Sequence, residues 1–569
     1  MIIGIITPIL LFLFYILKFG VDVPRWDEWN IAEILKAYYN KGDWLSMIFA
    51  QHNEHRIVFP RAILLTLAWL TDWNVKAEMV ASWVIHVMNF LLIWGILKQV
   101  GIKRDWLLIP IAWLMFNIGQ WENILWGWCF HWYLMIFGFL LALFFLTRVT
   151  RSAWLILPAI LAGIISSFSF NNGLLIWPLG LAYLFFMKEL GDKQKKLILL
   201  WLIVGIFIFI VYYLDYTNPN PHSPLTLFLQ QPFLFLICFF GNLGSGLGGQ
   251  IIVPSILAGI IIFSVSIVSF LSARKIIKGN AIALMPVFIL GLFSLISVLA
   301  ISVGRFSLGI SESIAPRYIT IASFLLMANV ILFEMIAQDA GNTKSQGRIK
   351  TLNIIFLSVI SIGLFITLIK SCQTGRAVYF ERMKAAVYLK QYKYAPNRVL
   401  SLFLHPSPVL IRDLAPLLKQ KRLTVFRNEV EISLDNYRKL IAPEKEQSGA
   451  IDRIDVIPAQ YSNGSNDVLY VSGWAIDQTR QEIPKAVFIL VDNKLIGQAV
   501  LGSPRQDIGK MLNNNRYILS GWEIFIPIKE IKDVSPPFNI TARVLLNGQD
   551  NYYYDIIKEF KVETQNENK

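Results

Sequence analysis

Apolar runs of roughly 17–22 residues return again and again along the first two thirds of this chain, each long enough to cross a bilayer core at about 1.5 Å per residue. One such run, "IIGIITPILLFLFYILKF", stands at the start. Nothing constrains the fold more, because lipid offers no partner to a backbone N–H or C=O, so runs of this kind must become helices packed on one another. Composition agrees: 55% of the 569 residues are hydrophobic and 16% charged, which excludes an ordinary soluble domain. The first run lacks a basic leader and a clear small-residue cleavage site, so it reads as an uncleaved span. Three cysteines (Cys129, Cys238, Cys372) have neither metal-ligand nor disulfide spacing.

Eleven spans are expected, at about 2–20, 78–97, 106–118, 131–147, 153–169, 173–187, 197–214, 250–272, 281–301, 318–337 and 352–370. Between alternate spans lie "KQVGIKRD", "RVTRS", "KELGDKQKK", "ARKIIKG" and "QDAGNTKSQGRIK", with about fifteen Lys and Arg among them. Basic connectors stay in the cytoplasm, which accounts for the net charge of +14 without nucleic acid. The N-terminus is then cytoplasmic and residues 371–569 lie on the outer side. The stretch 225–249 strains this scheme. Pro232 and the glycines after Phe240 read as a re-entrant or surface-lying pair of helices, the alternative being a twelfth span that returns the C-terminal domain to the cytoplasm.

That topology gathers the polar motifs on one face. "VPRWDEWN" and "QHNEHRIVFPR" fall in a large first outer loop, 21–77; "GQWENILWGWCFHW", "SFSFNNGLLIWP" and "VGRFSLGISESIAPRYIT" join later spans on the same side. Ionisable groups at bilayer depth are costly and tend to mark a functional cavity. Aromatic belts explain many of the tryptophans, but not the accompanying Asp, Glu, His and Arg.

The layout resembles the GT-C glycosyltransferases, polytopic enzymes that use polyprenyl-phosphate-linked sugars. The resemblance rests on an acidic pair soon after the first span, Asp27–Glu28, followed by a large outer loop. "WDEW", "QHNEHRIVFPR", "WENILWGW", "FNNGLLIWP" and "GRFSLG…PRY" look like a largely uncharacterised bacterial multi-pass family of that type, over roughly residues 1–370. It implies a general base that deprotonates the acceptor as a lipid phosphate leaves, a role carried onto Asp27 with Glu28 second and Glu54 in support. The alternative for "PRWDEWNIAEILKAYY" is an amphipathic surface helix whose first turn favours acidic residues. If 49–61 is helical, His52, His55 and Arg56 share one sector as a wall for sugar or phosphate, with Arg56 and Arg61 as anion clamps; otherwise it is an interfacial loop. Arg305, Arg317 and Tyr318 are candidates to grip the carrier phosphate, or to anchor anionic lipid, with Gly304 and Gly309 admitting close approach. Glu122, Asn123, Asn171 and Asn172 are candidates for sugar hydroxyls, though asparagine also turns and caps. No DxD triplet occurs in the first loop, so a divalent cation (Mg or Mn) is allowed but unsupported.

Three domains are expected: a GT-C-like membrane domain at 1–370, a mostly helical connector at 371–451, and a β-sandwich at 452–569 resembling jelly-roll or immunoglobulin-like modules beside bacterial glycan enzymes. Period-2 alternation there argues for strands, "DNK" for a hairpin turn, and the repeated "SGWAI" and "SGWEI" for equivalent strand positions whose Trp474 and Trp522 fill the core. The "YYY" at 552–554 is a candidate binding platform. The expected function is inverting transfer of a sugar from its polyprenyl-phosphate carrier to an envelope glycan, lipid or protein at the outer face of a bacterial inner membrane. A transporter or flippase of a lipid-linked glycan predicts charges midway along spans and pseudo-symmetric halves, and neither is seen. An assembly scaffold acting through the C-terminal domain would not need so many spans.

Overall fold

The computed structural model describes residues 1–102, 104–187, 191–218, 230–276, 281–339, 344–429, 432–434, 437–440, 447–461, 467–531, 537–548 and 551–560. Their helices are α1 (Ile2–Phe19), α2 (Trp29–Tyr39), α3 (Trp44–Phe49), α4 (Val58–Thr71), α5 (Val75–Gln99), α6 (Leu108–Met115), α7 (Trp121–Leu125), α8 (Phe130–Leu146), α9 (Ile156–Ser167), α10 (Ile176–Phe186) and α11 (Asp192–Tyr213). There follow α12 (Pro232–Gly248), α13 (Ile252–Ile276), α14 (Ala281–Arg305), α15 (Ile310–Ser313), α16 (Ile319–Asp339), α17 (Lys344–Lys390), α18 (Asn397–Phe403) and α19 (Pro408–Gln420). Eight strands and one short helix, Gln506–Met511, follow among the described residues.

Among the described residues eight helices, not eleven, are long and apolar enough to cross a membrane. The three that fall short are α6, α9 and α10, of 8, 12 and 11 residues. A twelve-residue helix is about 18 Å long, well under a bilayer core. The count of eleven spans is therefore not confirmed; 3₁₀ turns at Ala153–Leu155 and Asn171–Leu175 leave α9 and α10 fewer α-helical residues than their apolar stretches contain.

The chain forms two compact units: Met1–Gly20, Ala37–Trp69 and Lys76–Arg376 make the first, and Val21–Lys36, Leu70–Val75 and Ala377–Lys569 the second. The expected boundary near 370 lies inside α17, an uninterrupted helix of 47 residues.

Within the first unit α16 is the axis, since every residue of its best apolar window is buried, and α8 is nearly as enclosed. Peripheral helices keep an apolar outer face, as at Ile354, Ile362 and Phe365 of α17, all more than 60% exposed. The region around 225–249 is outside the described residues up to 229, and from Pro232 it is one helix, α12. A three-residue turn with Gly249 and Gln250 both at positive φ folds α12 back along α13. The two backbones touch. A Cβ on Gly244 would lie 2.0 Å from the Ser255 carbonyl oxygen, and one on Gly259 would lie 1.9 Å from that of Phe240. Small residues four apart on both helices (Gly244, Gly248; Ser255, Gly259) let the two backbones come close enough for dispersion to hold them.

In the second unit β1 (Arg438–Lys439), β2 (Gln447–Ile457), β3 (Val468–Asp477), β4 (Ala486–Val491), β5 (Lys494–Ser503), β6 (Gly521–Pro527), β7 (Phe538–Leu545) and β8 (Tyr552–Phe560) form one sheet in the order β1-β8-β7-β4-β5-β6-β3-β2. This is a half-barrel rather than the expected sandwich. The reason is β5, which pairs with β4 through Ala499 and with β6 from Val500 onward, so one bent strand welds two half-sheets together. The expected hairpin at "DNK" is present: Asp492 and Asn493 at positive φ join β4 to β5, as a two-residue primed turn requires. The two tryptophans do not share a core. Antiparallel register sets Gly473 opposite Trp522 and Trp474 opposite Gly521, so they point to opposite faces. Trp522 is fully buried in the main core with Val471, Ile489 and Val544, whereas Trp474 is half-buried against Ile476 and Tyr517. Of the three tyrosines, Tyr554 is core, its hydroxyl donating to the Ile476 carbonyl at 2.9 Å, and only Tyr552 is well exposed.

Candidate functional site

In the first unit, residues 51–56 are not helical. His52 and His55 exchange both backbone hydrogen bonds (2.8 and 2.9 Å) across a tight turn in which Asn53 takes positive φ. Asparagine tolerates that conformation because its short polar side chain bonds locally. Of the two readings of this stretch, helix or loop, residues 51–56 follow the loop, and the helical sector of His52, His55 and Arg56 does not form. The turn instead directs His52 to the Trp128 ring (5.0 Å between centroids) and His55 onto Phe170 at 3.8 Å.

Phe170 is the hub. His131 stacks on it at 4.9 Å with planes 20° apart, and Trp132 meets it at 4.2 Å. Trp132 in turn reaches Tyr318 at 6.1 Å, and the Arg317 guanidinium lies 4.9 Å from the Tyr318 ring. One unbroken series of ring contacts thus links four of the motifs. Trp132 stands in the first turn of α8 and Tyr318 immediately precedes α16, so the cluster collects the N-terminal ends of the two most enclosed helices, which carry partial positive charge.

Charged groups flank this series. Glu54 Oε2 is 3.6 Å from Arg305 and 3.9 Å from His55 Nε2. Burial above all, then His131, Arg305 and His52, hold His55 well below its ordinary pKa, so it is neutral near pH 7. On the other side one Arg317 nitrogen bridges both Glu122 oxygens at 3.0 Å, while the second meets Glu312 at 2.6 Å. Behind them Asn123 donates to the Arg317 carbonyl and to Thr320, each at 2.8 Å. Gln120 Oε1 accepts from Tyr133 at 3.1 Å and from Thr320. His131 Nδ1 donates to the Trp128 carbonyl at 2.7 Å.

Three residues here each keep a buried polar atom with no hydrogen-bond partner among the described residues: His55 Nδ1, Asn123 Oδ1 and Asn172 Nδ2. Asn171 begins the 3₁₀ turn that carries Asn172. Unmatched buried polar atoms are rare in folded proteins.

Arg56 and Arg61, expected as phosphate clamps, are committed elsewhere. Arg56 donates to the carbonyls of Tyr212 (2.7 Å), Phe49 (3.2 Å) and Leu214. Arg61, 2% exposed, donates to those of Met47 (3.0 Å) and Ala50. Both tie down carbonyls that the ends of α3 and α11 leave unpaired. Gly304 has open space beside it and Gly309 a φ of +99°, so only Gly309 is conformationally required.

Asp27 and Glu28 belong to the second unit. Glu28, 1% exposed, accepts the Arg25 N–H at 2.7 Å and closes a capping box ahead of α2, the structural alternative foreseen for this pair. Asp27 is half-buried beside it. The backbone here is pinned by Arg382, which donates to the carbonyls of Pro24 (3.0 Å) and Phe403 (2.6 Å).

Sequence reasoning passed over Gln120, His131, Trp132, Tyr133, Phe170 and Thr320, although all but Tyr133 lie inside the quoted motifs. The available signal was a histidine within an otherwise apolar span. Among the described residues no group of three or more His, Cys, Asp or Glu could hold a metal ion. No protein-family model, curated protein or solved structure matches the chain.

Proposed function

We propose that this protein is a membrane glycosyltransferase of the GT-C type, moving a sugar from a polyprenyl-phosphate carrier to an envelope acceptor on the outer side of a bacterial inner membrane. The supporting observation is the convergence in the first unit of carboxylate, cation, neutral histidine and unmatched buried amides beside an aromatic series. Each has a use in that reaction. Glu54, held by Arg305, is a candidate base, and His55 beside it can relay the acceptor proton. Arg305, Arg317 and two helix N-termini suit a phosphate leaving group. The open atoms of Asn123 and Asn172 suit sugar hydroxyls, and Phe170 and Trp132 suit the apolar face of the ring. Asp27 remains the base implied by resemblance alone.

The test is sugar release from a polyprenyl-phosphate-linked donor by the purified full-length chain. Glu54→Gln is expected to lower turnover by about 10²-fold or more, the usual scale for a general base, with Lys98→Ala unchanged. Loss in Asp27→Asn but not in Glu54→Gln would return the base to Asp27. Undiminished turnover in both would remove the proposed mechanism.

A further inference from the structure

A second site lies in the second unit, and its argument is independent of the glycosyltransferase reading. Where β5 leaves β4 to join β6, the half-barrel opens. Ile524–Ile526 pair with β3 only, and Gly497–Ala499 with β4 only, so a gap is left between the two strands. The end of α17 and the loop after it overlie the gap, and Gln391 Oε1 accepts the Phe525 N–H at 3.0 Å. Around this opening is a cleft of about 1280 Å³, larger than typical small-molecule pockets of roughly 300–1,000 Å³.

Its lining is cationic. Lys390, Lys393, Lys419, Arg422 and Lys485 face it with only Glu429 and Glu530 in opposition. Glu429 pairs with Lys419 at 3.8 Å, and Glu530 accepts from the Tyr394 hydroxyl at 3.3 Å. Among the described residues Lys393, Arg422 and Lys485 form no ion pair; the ammonium groups of the two lysines rest instead over the Tyr394 and Tyr437 rings, at 4.9 and 5.5 Å. Amide side chains (Gln420, Asn428, Gln498) and tyrosines (Tyr392, Tyr394) share the walls.

We propose that this cleft binds an anionic oligosaccharide, a chain of several sugars bearing carboxylate or phosphate groups. Unpaired cations select the charge, amides the hydroxyls, and tyrosines the apolar faces of sugar rings. An extended acidic peptide fits less well, because strand addition needs the free edge of β6, and Gln391 already takes a donor there.

The experiment is calorimetric titration of the full-length protein in detergent with tetragalacturonate, a glycerol-phosphate oligomer, neutral maltotetraose and an oligoglutamate peptide. At least one anionic polymer of the first two should bind, weakening steeply with salt, while maltotetraose and the peptide do not. The exposed double variant Lys393→Glu, Lys485→Glu should lose at least tenfold in affinity with an unchanged melting temperature. Binding of only one anionic polymer identifies carboxylate or phosphate as the charge read. Equal binding of maltotetraose, binding of the peptide instead, no binding at all, or indifference to the double variant would overturn the proposal.

Discussion

The backbone contact between α12 and α13 makes a sharp stability prediction. Adding one methyl group at Gly244 puts a carbon 2.0 Å from the Ser255 oxygen and 2.3 Å from the Gly259 nitrogen. Ordinary contact needs about 3.4 Å, so the helices must separate by roughly 1.4 Å; both obstacles are backbone, and no side-chain rotation relieves them. Overpacking costs about 1–3 kcal/mol and occasionally more, and this geometry belongs at the upper end. Gly244→Ala and Gly259→Ala are each expected to cost about 3 kcal/mol. The double variant should cost clearly less than the sum, because helices already pushed apart by one methyl accommodate the next. Gly304→Ala is the control: with nothing within 4 Å, the same change should raise stability by about 0.5–1 kcal/mol through helix propensity. Reversible unfolding in mixed micelles, followed by far-ultraviolet circular dichroism, measures all four. Wild-type stability in Gly244→Ala, or strict additivity in the pair, would refute a backbone-to-backbone interface.

Two further outcomes follow from the polar cluster. Glu122→Gln leaves the Arg317 charge with only the half-exposed Glu312; breaking a buried pair costs about 3–5 kcal/mol, and the surviving partner should reduce this to about 2–3, read as a lower unfolding midpoint that an unchanged midpoint would contradict. His55 is neutral in the fold with its pKa held below the ordinary 6.5, so below that pH the unfolded chain gains a proton that the folded chain refuses. Stability should therefore fall as pH drops from 6.5 toward the folded value, by at most about 1.4 kcal/mol per pH unit, and His55→Phe should flatten that slope in pH-dependent unfolding.

Periodicity and hydropathy made the long helices readable, because a span's length and greasiness are properties of contiguous residues. The same measure does not register that 153–169 and 173–187 each open with a 3₁₀ turn, which leaves α9 and α10 short of the length of a full span. Motif order pointed to residues that meet around Phe170, yet it could not say what each one touches. Arg56 and Arg61 satisfy carbonyls on α3 and α11, a commitment visible only once distant helix ends are placed. The hairpin of His52 and His55 has a local signal in Asn53, which favours the loop over the helix where both readings of 49–61 stand open. Trp474 and Trp522 occur in matching words, but pairing register, absent from either word alone, sends them to opposite faces.

The second unit draws Val21–Lys36 together with Ala377–Lys569. On the ribosome about 340 residues separate the two, which at about 5–20 residues per second is a delay of roughly 20–70 s. Trp29, Ile31, Ile34 and Leu35, all 1% exposed or less in the finished fold, are made before that interval begins. The second unit is therefore completed only after that interval, its first-made segment waiting on its last-made one.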